Sequence, residues 1–157
     1  MTKNVYLAAP FFSPQQKERI QVVREALEAN PTIGRIFEPE AHPYQEAEFG
    51  SLEWQKAAFM LDTNQIYQND VMVAIVDYKM EESDNEADSG TMFEVGLAYG
   101  THTPVVIVQF DPQKELNLMI RQAMTAYFDA SQNGLIDLKA YDFDVMMPHF
   151  NNNRDVI

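Results

Sequence analysis

Two nearly unbroken apolar runs, VMVAIV at residues 71–76 and PVVIVQF at 104–110, constrain this chain more than any other feature. Neither alternates polar with apolar side chains, so neither can lie with one face in water. Such runs belong to parallel strands covered by helices on both sides. The question is then whether helices and further strands alternate around them.

They do. Residues 5–9 form a short apolar run that reads as a first strand. Ser13, Pro14 and Gln16 follow as an N-cap, a proline in the first turn and a capping-box glutamine. Ile20, Val23, Ala26 and Leu27 then recur at helical spacing, which predicts a first helix running to about Asn30. Residues 33–37 read as a second strand, and residues 38–51, with Pro39, Pro43 and Gly50, as a long loop. Trp54, Ala57, Ala58, Leu61 and Gln65 make one face of a second helix. A third helix is expected from near Gly90 to a terminating Gly100. Residues 116–124 read as a helix, 127–129 as a fifth strand and 135–141 as a last short helix, while the tail at 151–157 lacks periodicity. Strand–helix alternation without repeats or linkers implies one α/β domain. The expected architecture is a three-layer sandwich around a parallel sheet of about five strands, flavodoxin-like or Rossmann-like.

Composition narrows the partners. With 11 basic against 24 acidic residues the formal net charge is −13. Nucleic-acid polymers and anionic membranes demand basic surfaces, so neither is expected, and a neutral small molecule fits best. The absence of cysteine removes disulfides and thiolate metal sites and suits the cytoplasm. The N-terminal apolar run is too short for a signal peptide, and no stretch reaches membrane-spanning length.

In open α/β sheets ligands bind at the carboxyl edge. There the segment DSGTMFEVG, Asp88 to Gly96, places two carboxylates six residues apart after the third strand. Glu94, expected in the first helical turn and ionised by the helix dipole, could attack an electrophilic sugar carbon or simply balance that dipole. Asp88 could bind sugar hydroxyls or cap the helix. Phe11 and Phe12 could stack on a planar ring or belong to the core. Tyr6 could donate its hydroxyl to a carboxylate, and Asn117 could serve a ligand or cap its own helix. The loops after strands one, three and four are expected to face one pocket.

Four segments in register, YLAAPFF at Tyr6–Phe12, Trp54 with Asp62, DSGTMFEVG with Gly90 inside it, and NLM at Asn117–Met119, resemble the nucleoside 2-deoxyribosyltransferases over nearly the whole chain. The resemblance implies transfer of deoxyribose between nucleobases through a covalent intermediate. It assigns Glu94 as nucleophile, Tyr6 as the tyrosine that holds it, and Asp62 as the group exchanging a proton with the base. Asp88 and Gly90 fall in the deoxyribose-binding loop, Phe11 and Phe12 flank the base, Gln45 contacts it, and Met119 packs near the substrate. Asn117 corresponds to an asparagine lent by a neighbouring subunit, in a family that forms hexamers built from dimers. No cofactor or metal is implied. The substrates are 2′-deoxynucleosides and free bases, with purines and pyrimidines both expected and a purine-only restriction as the alternative. Family chains often end in a tyrosine whose carboxylate reaches the site; this one ends in Ile157.

Two rivals remain. An N-glycoside hydrolase acting on nucleosides or their 5′-monophosphates would use the same carboxylates, but a phosphate calls for a basic or hydroxyl-rich loop that Ala8-Ala9-Pro10 does not provide. A non-enzymatic flavodoxin-like binding module would need hydroxyl residues at that same place. Asp84, Glu86 and Asp88 alternate as in a calcium loop, but the required sixth-position glycine and twelfth-position glutamate are Ser89 and Val95. The stretch 81–88 reads as a solvated acidic loop. His42, His102 and His149 are isolated, without metal-ligand spacing.

Overall fold

A computed structural model describes residues 1–77 and 86–150. Five strands, β1 (Lys3–Ala8), β2 (Ile33–Phe37), β3 (Val71–Ile75), β4 (Val105–Gln109) and β5 (Ala126–Asp129), form one sheet in the order β2-β1-β3-β4-β5. Every pairing is parallel. The five helices are α1 (Pro14–Glu28), α2 (Leu52–Gln68), α3 (Ser89–Gly100), α4 (Leu118–Ala123) and α5 (Gly134–Ala140). All five residues of β3 and of β4 are buried, as their unbroken apolar sequences require.

Successive side chains of each strand enter two cores. Val5, Leu7, Val73 and Val106 pack with α1 and α5 residues such as Val23 and Leu138. Tyr6, Met72, Ala74 and Ile107 pack with Ile66 of α2 and with Val95 and Ala98 of α3. The chain leaves β1 toward β2 on one side and returns to β3 on the other, so the crevice between β1 and β3 is the topological switch point.

Local chemistry explains the element ends. At α1 the expected capping box forms: Gln16 N–H donates to Ser13 Oγ at 3.2 Å and Ser13 N–H to Gln16 Oε1 at 3.0 Å. The helix stops at Glu28, two residues short of expectation, because Asn30 serves elsewhere. Its buried amide donates to the carbonyls of Leu138 and Tyr141 and its Oδ1 accepts from Thr32, fastening the α1–β2 turn to α5. Within residues 38–51 lies a short 3-10 turn, Pro39–Ala41. Gly134 is dictated by proximity: a Cβ there would stand 2.3 Å from the Asp129 carbonyl oxygen.

Gly100 is the last residue of α3, as expected. The left-handed position belongs to His102, at φ 62°, with Thr103 N–H donating to Ala98 O and His102 N–H to Tyr99 O. That pattern is a Schellman closure built on a histidine. The α2 face containing Trp54, Ala57, Ala58, Leu61 and Gln65 is half-buried, and the fully buried residues of α2 are Thr63 and Ile66. No helix among the described residues is long and apolar enough to cross a membrane.

Candidate active site at the β1–β3 crevice

Tyr6 comes from the middle of β1 and points into the α2–α3 side of the sheet, with no exposed surface. Its ring stacks on Phe37 at 5.6 Å, and Phe37 stacks on His42 at 4.8 Å, which fixes the tyrosine laterally. The hydroxyl donates to Glu94 Oε1 at 2.6 Å, joining residues 88 apart in sequence. Such a short bond to a carboxylate is charge-assisted and strong. Among the described residues nothing hydrogen-bonds Glu94 Oε2.

The helix carrying Glu94 begins at Ser89, within one residue of expectation, and Glu94 is its sixth residue. Asp88 is the N-cap of α3, its Oδ2 accepting from Thr91 N at 2.8 Å and Thr91 Oγ1 at 3.1 Å. Glu94 therefore lies in the second turn, beyond the reach of the terminal dipole, which acts mainly within the first turn. Its pKa accordingly moves opposite to the expectation. Burial, followed by the nearby Asp62 and Asp88 carboxylates, raises it to about 7, and the Tyr6 hydrogen bond offsets only part of the rise. Asp62, from α2, is raised to about 6 by burial. The Tyr6 hydroxyl is held protonated, first by burial and then by the adjacent Glu94 charge.

Tyr6, Asp62, Asp88 and Glu94 thus form one desolvated acidic cluster drawn from β1, α2 and the start of α3. Gly90 belongs to the same turn: a Cβ there would lie 3.2 Å from the capping Oδ2 of Asp88. Phe11 is half-buried against the α1-side core, Phe12 is exposed, and their rings lie 5.2 Å apart at the mouth after β1. Phe12 is held by its own N–H, which donates to Gln16 Oε1 at 2.7 Å.

The remaining expected residues are not gathered into this cluster within one chain. Asn117 caps α4, its Oδ1 accepting from Met119 N at 2.9 Å, so α4 starts at Leu118 rather than at 116. Asn117 and Met119 are exposed, and Met119 borders an apolar groove with Val95, Gly96 and Tyr99. Gln45 is exposed and makes no hydrogen bond among the described residues. Asp84 and Ile157 lie outside the described residues. No group of three or more His, Asp or Glu among the described residues is placed to hold a metal ion.

Sequence reasoning passed over the polar supports of this edge. Arg19 on α1 reaches Asp77 after β3 and Asp111 after β4. Gln109, fully buried at the end of β4, accepts from Tyr127 Oη at 2.8 Å and donates to Lys114 O at 3.1 Å, shaping the loop that leads to Asn117. The one signal available was a glutamine closing an otherwise apolar strand.

The fold agrees with the comparisons to known proteins. The family model for nucleoside 2-deoxyribosyltransferase matches residues 5–135. A nucleoside deoxyribosyltransferase of Limosilactobacillus fermentum is 33% identical over 152 residues, covering 89% of this chain and 86% of the relative. Among solved structures, a 2-deoxyribosyltransferase from the psychrotolerant Bacillus psychrosaccharolyticus superposes with a TM-score of 0.76 at 28% identity, over 94% of this chain and 98% of that one. A CMP N-glycosidase of Clostridium botulinum shares the fold, with a TM-score of 0.56 at 17% identity over 87% and 98% of the two chains. The family model over residues 5–135 and the 33%-identical relative show that the chain is a pentosyltransferase belonging to the nucleoside 2-deoxyribosyltransferase family.

Proposed function

We propose that this enzyme exchanges the nucleobase of 2′-deoxynucleosides by a retaining double displacement with Glu94 as nucleophile. The observation that carries the reading is the 2.6 Å hydrogen bond from buried Tyr6 to Glu94 inside a cluster with Asp62 and Asp88. Tyr6 fixes one carboxylate oxygen and leaves Oε2 for attack on C1′. As the Glu94–C1′ bond forms, the N-glycosidic bond breaks, its electrons pass to the base nitrogen, and Asp62 supplies the proton. The second base then attacks C1′ from the face that the first base left, opposite Glu94. The ester bond breaks with its electrons returning to Glu94, and the new base's proton goes to Asp62. Two inversions give retention, as in retaining glycosidases, and the proton transfer is worth about 10²–10⁴-fold. Asp88, whose Oδ1 accepts no hydrogen bond among the described residues, binds a sugar hydroxyl beside Gly90. Phe11 and Phe12 line the base side. No cofactor takes part.

Transfer outruns hydrolysis only in a cleft closed to water. Closure by self-association fits the surface: Phe59 and Met60 of α2, Phe93 and Tyr99 of α3, and Met119 of α4 are exposed on one side of the sheet. Apolar area of that continuity marks an interface. A partner docked there would bring its Asn117 and Met119 toward a neighbouring site, in a hexamer of dimers. Gln45, in the 38–51 loop, would meet the base. The enzyme works in the cytoplasm on both purines and pyrimidines.

The test is to incubate thymidine with adenine, and deoxyinosine with adenine, and to separate the products. Deoxyadenosine from both supports the broad reading, and from deoxyinosine alone a purine-only enzyme. Free deoxyribose without new nucleoside means an N-glycosidase. Glu94→Ala should abolish exchange with the fold intact; near-normal exchange in that variant ends the proposal.

A further inference from the structure

The reaction above makes no use of Arg19, yet this side chain is held by two carboxylates at the carboxyl edge. It is 13% exposed, and a single nitrogen, Nη1, donates to Asp77 Oδ1 at 2.7 Å and to Asp111 Oδ2 at 2.9 Å. The guanidinium lies 5.0 Å from the Phe110 ring centre. Asp77 follows β3 and Asp111 follows β4, so one charge on α1 ties together the two loops flanking the next helices.

Each loop passes the constraint on through its backbone. The carbonyl of Asp77 accepts the N–H of Asp88 at 3.0 Å, and Asp88 caps the helix that carries Glu94. The carbonyl of Asp111 accepts the N–H of Lys114 at 3.0 Å, and the Lys114 carbonyl accepts from Gln109, three residues ahead of Asn117. Without the guanidinium, two neighbouring carboxylates would repel each other, and Asp77, 6% exposed, would lose the 2.7 Å ion pair with Arg19.

We propose that Arg19 is a positioning residue, an ionic clamp holding the Asp88 and Asn117 loops at the separation that the sugar requires. The clamp itself stands on the geometry; its kinetic consequence rests on the deoxyribosyl-transfer reading. Loss of one charge-assisted hydrogen bond at Asp77 and one at Asp111 weakens the hold on each anchor by about tenfold or more. The bridge runs through one nitrogen, and an ammonium can also serve two acceptors, so Arg19→Lys should restore much of what Arg19→Met removes.

Two measurements test this. By residue-resolved amide hydrogen exchange, R19M should speed exchange at both Asp88 and Lys114 by about tenfold, leave β1 and α2 unchanged, and be largely rescued in R19K. Acceleration at only one of the two amides, or equally throughout the chain, overturns the clamp whether or not the protein exchanges bases. In base exchange, R19M should lose about tenfold in kcat/KM on a deoxynucleoside while losing much less on its 3′-deoxy and 5′-deoxy analogues, because a misplaced loop forfeits hydroxyl contacts that those analogues lack. An equal loss on all three substrates overturns the kinetic role. Absence of exchange in the parent enzyme would count against the proposed function alone. Should R19M fail to fold, Asp111→Asn carries the test: Lys114 exchanges faster while Asp88, still held through Asp77, does not, and unchanged exchange at Lys114 refutes the clamp.

Discussion

The first displacement needs Glu94 as carboxylate and Asp62 as acid, but the environment favours the opposite division. Glu94 titrates at about 7 and Asp62 at about 6. When the pair holds one proton, that proton sits on Glu94 more often than on Asp62. The productive arrangement is therefore a minor form, most populated between the two titrations. The profile of kcat/KM against pH should be a bell with limbs near 6 and 7, both belonging to the pair. Tyr6→Phe gives this inverted order a distinctive consequence. Removing the hydrogen bond that lowers Glu94's pKa should raise it by a further one to two units or so, the equivalent of one charge-assisted bond. The alkaline limb then moves to about 8–9, the acid limb stays near 6, and the plateau drops about 10- to 100-fold because the proton leaves Asp62 still more often. The assay is the initial rate of adenine-for-thymine exchange at limiting thymidine, across the range in which circular dichroism shows the fold intact. A shift of the acid limb instead would mean that Glu94 ionises before Asp62. An unchanged profile would mean that Tyr6 does not govern Glu94 at all. Either result refutes the reasoning.

Other consequences follow from the same geometry. Glu94's folded pKa lies above its ordinary 4.5, so the folded state holds the proton more tightly, and stability falls as pH rises from about 4.5 through 7. Glu94→Gln, which can still accept from Tyr6, should match the parent near pH 4 and exceed it by about 3 kcal/mol at pH 8 in denaturant titrations; equal stability at both pH values contradicts the burial argument. If Asn117 completes a neighbour's site, co-expressing the inactive E94A and N117A chains should restore activity in about a quarter of the sites of randomly paired dimers, and no recovery in mixed oligomers would place Asn117 in its own chain's site. Gly134→Ala forces a methyl group against the Asp129 backbone and should cost about 3 kcal/mol despite alanine's better helix propensity; unchanged stability by chemical denaturation would disprove the close approach.

The strands were legible because burial on both faces leaves a composition that nothing else explains, as in residues 71–76 and 104–110. The α1 start was legible because Ser13, Pro14 and Gln16 act on one another locally. Asp88 carried a local signal as a helix cap, and the start near Gly90 was legible to within one residue. Counting Glu94 into the first turn misplaces it, because from either start it falls in the second. Gly100 marked the end of α3 correctly, but the left-handed closing position falls to His102, where Thr103 and His102 close the helix onto Ala98 and Tyr99.

Periodicity, capping chemistry and motif order are properties of near neighbours, so the chain alone determined its strand–helix alternation, its parallel sheet and its family. Titration and clamping depend on groups far apart in sequence. Only the folded arrangement brings Tyr6 to Glu94, lays Asp62 beside them in a desolvated cleft, and threads Arg19 between Asp77 and Asp111. The interaction of two charges depends on their distance through a medium whose polarity the fold itself creates. For that reason the acid–base character of this site belongs to the tertiary structure.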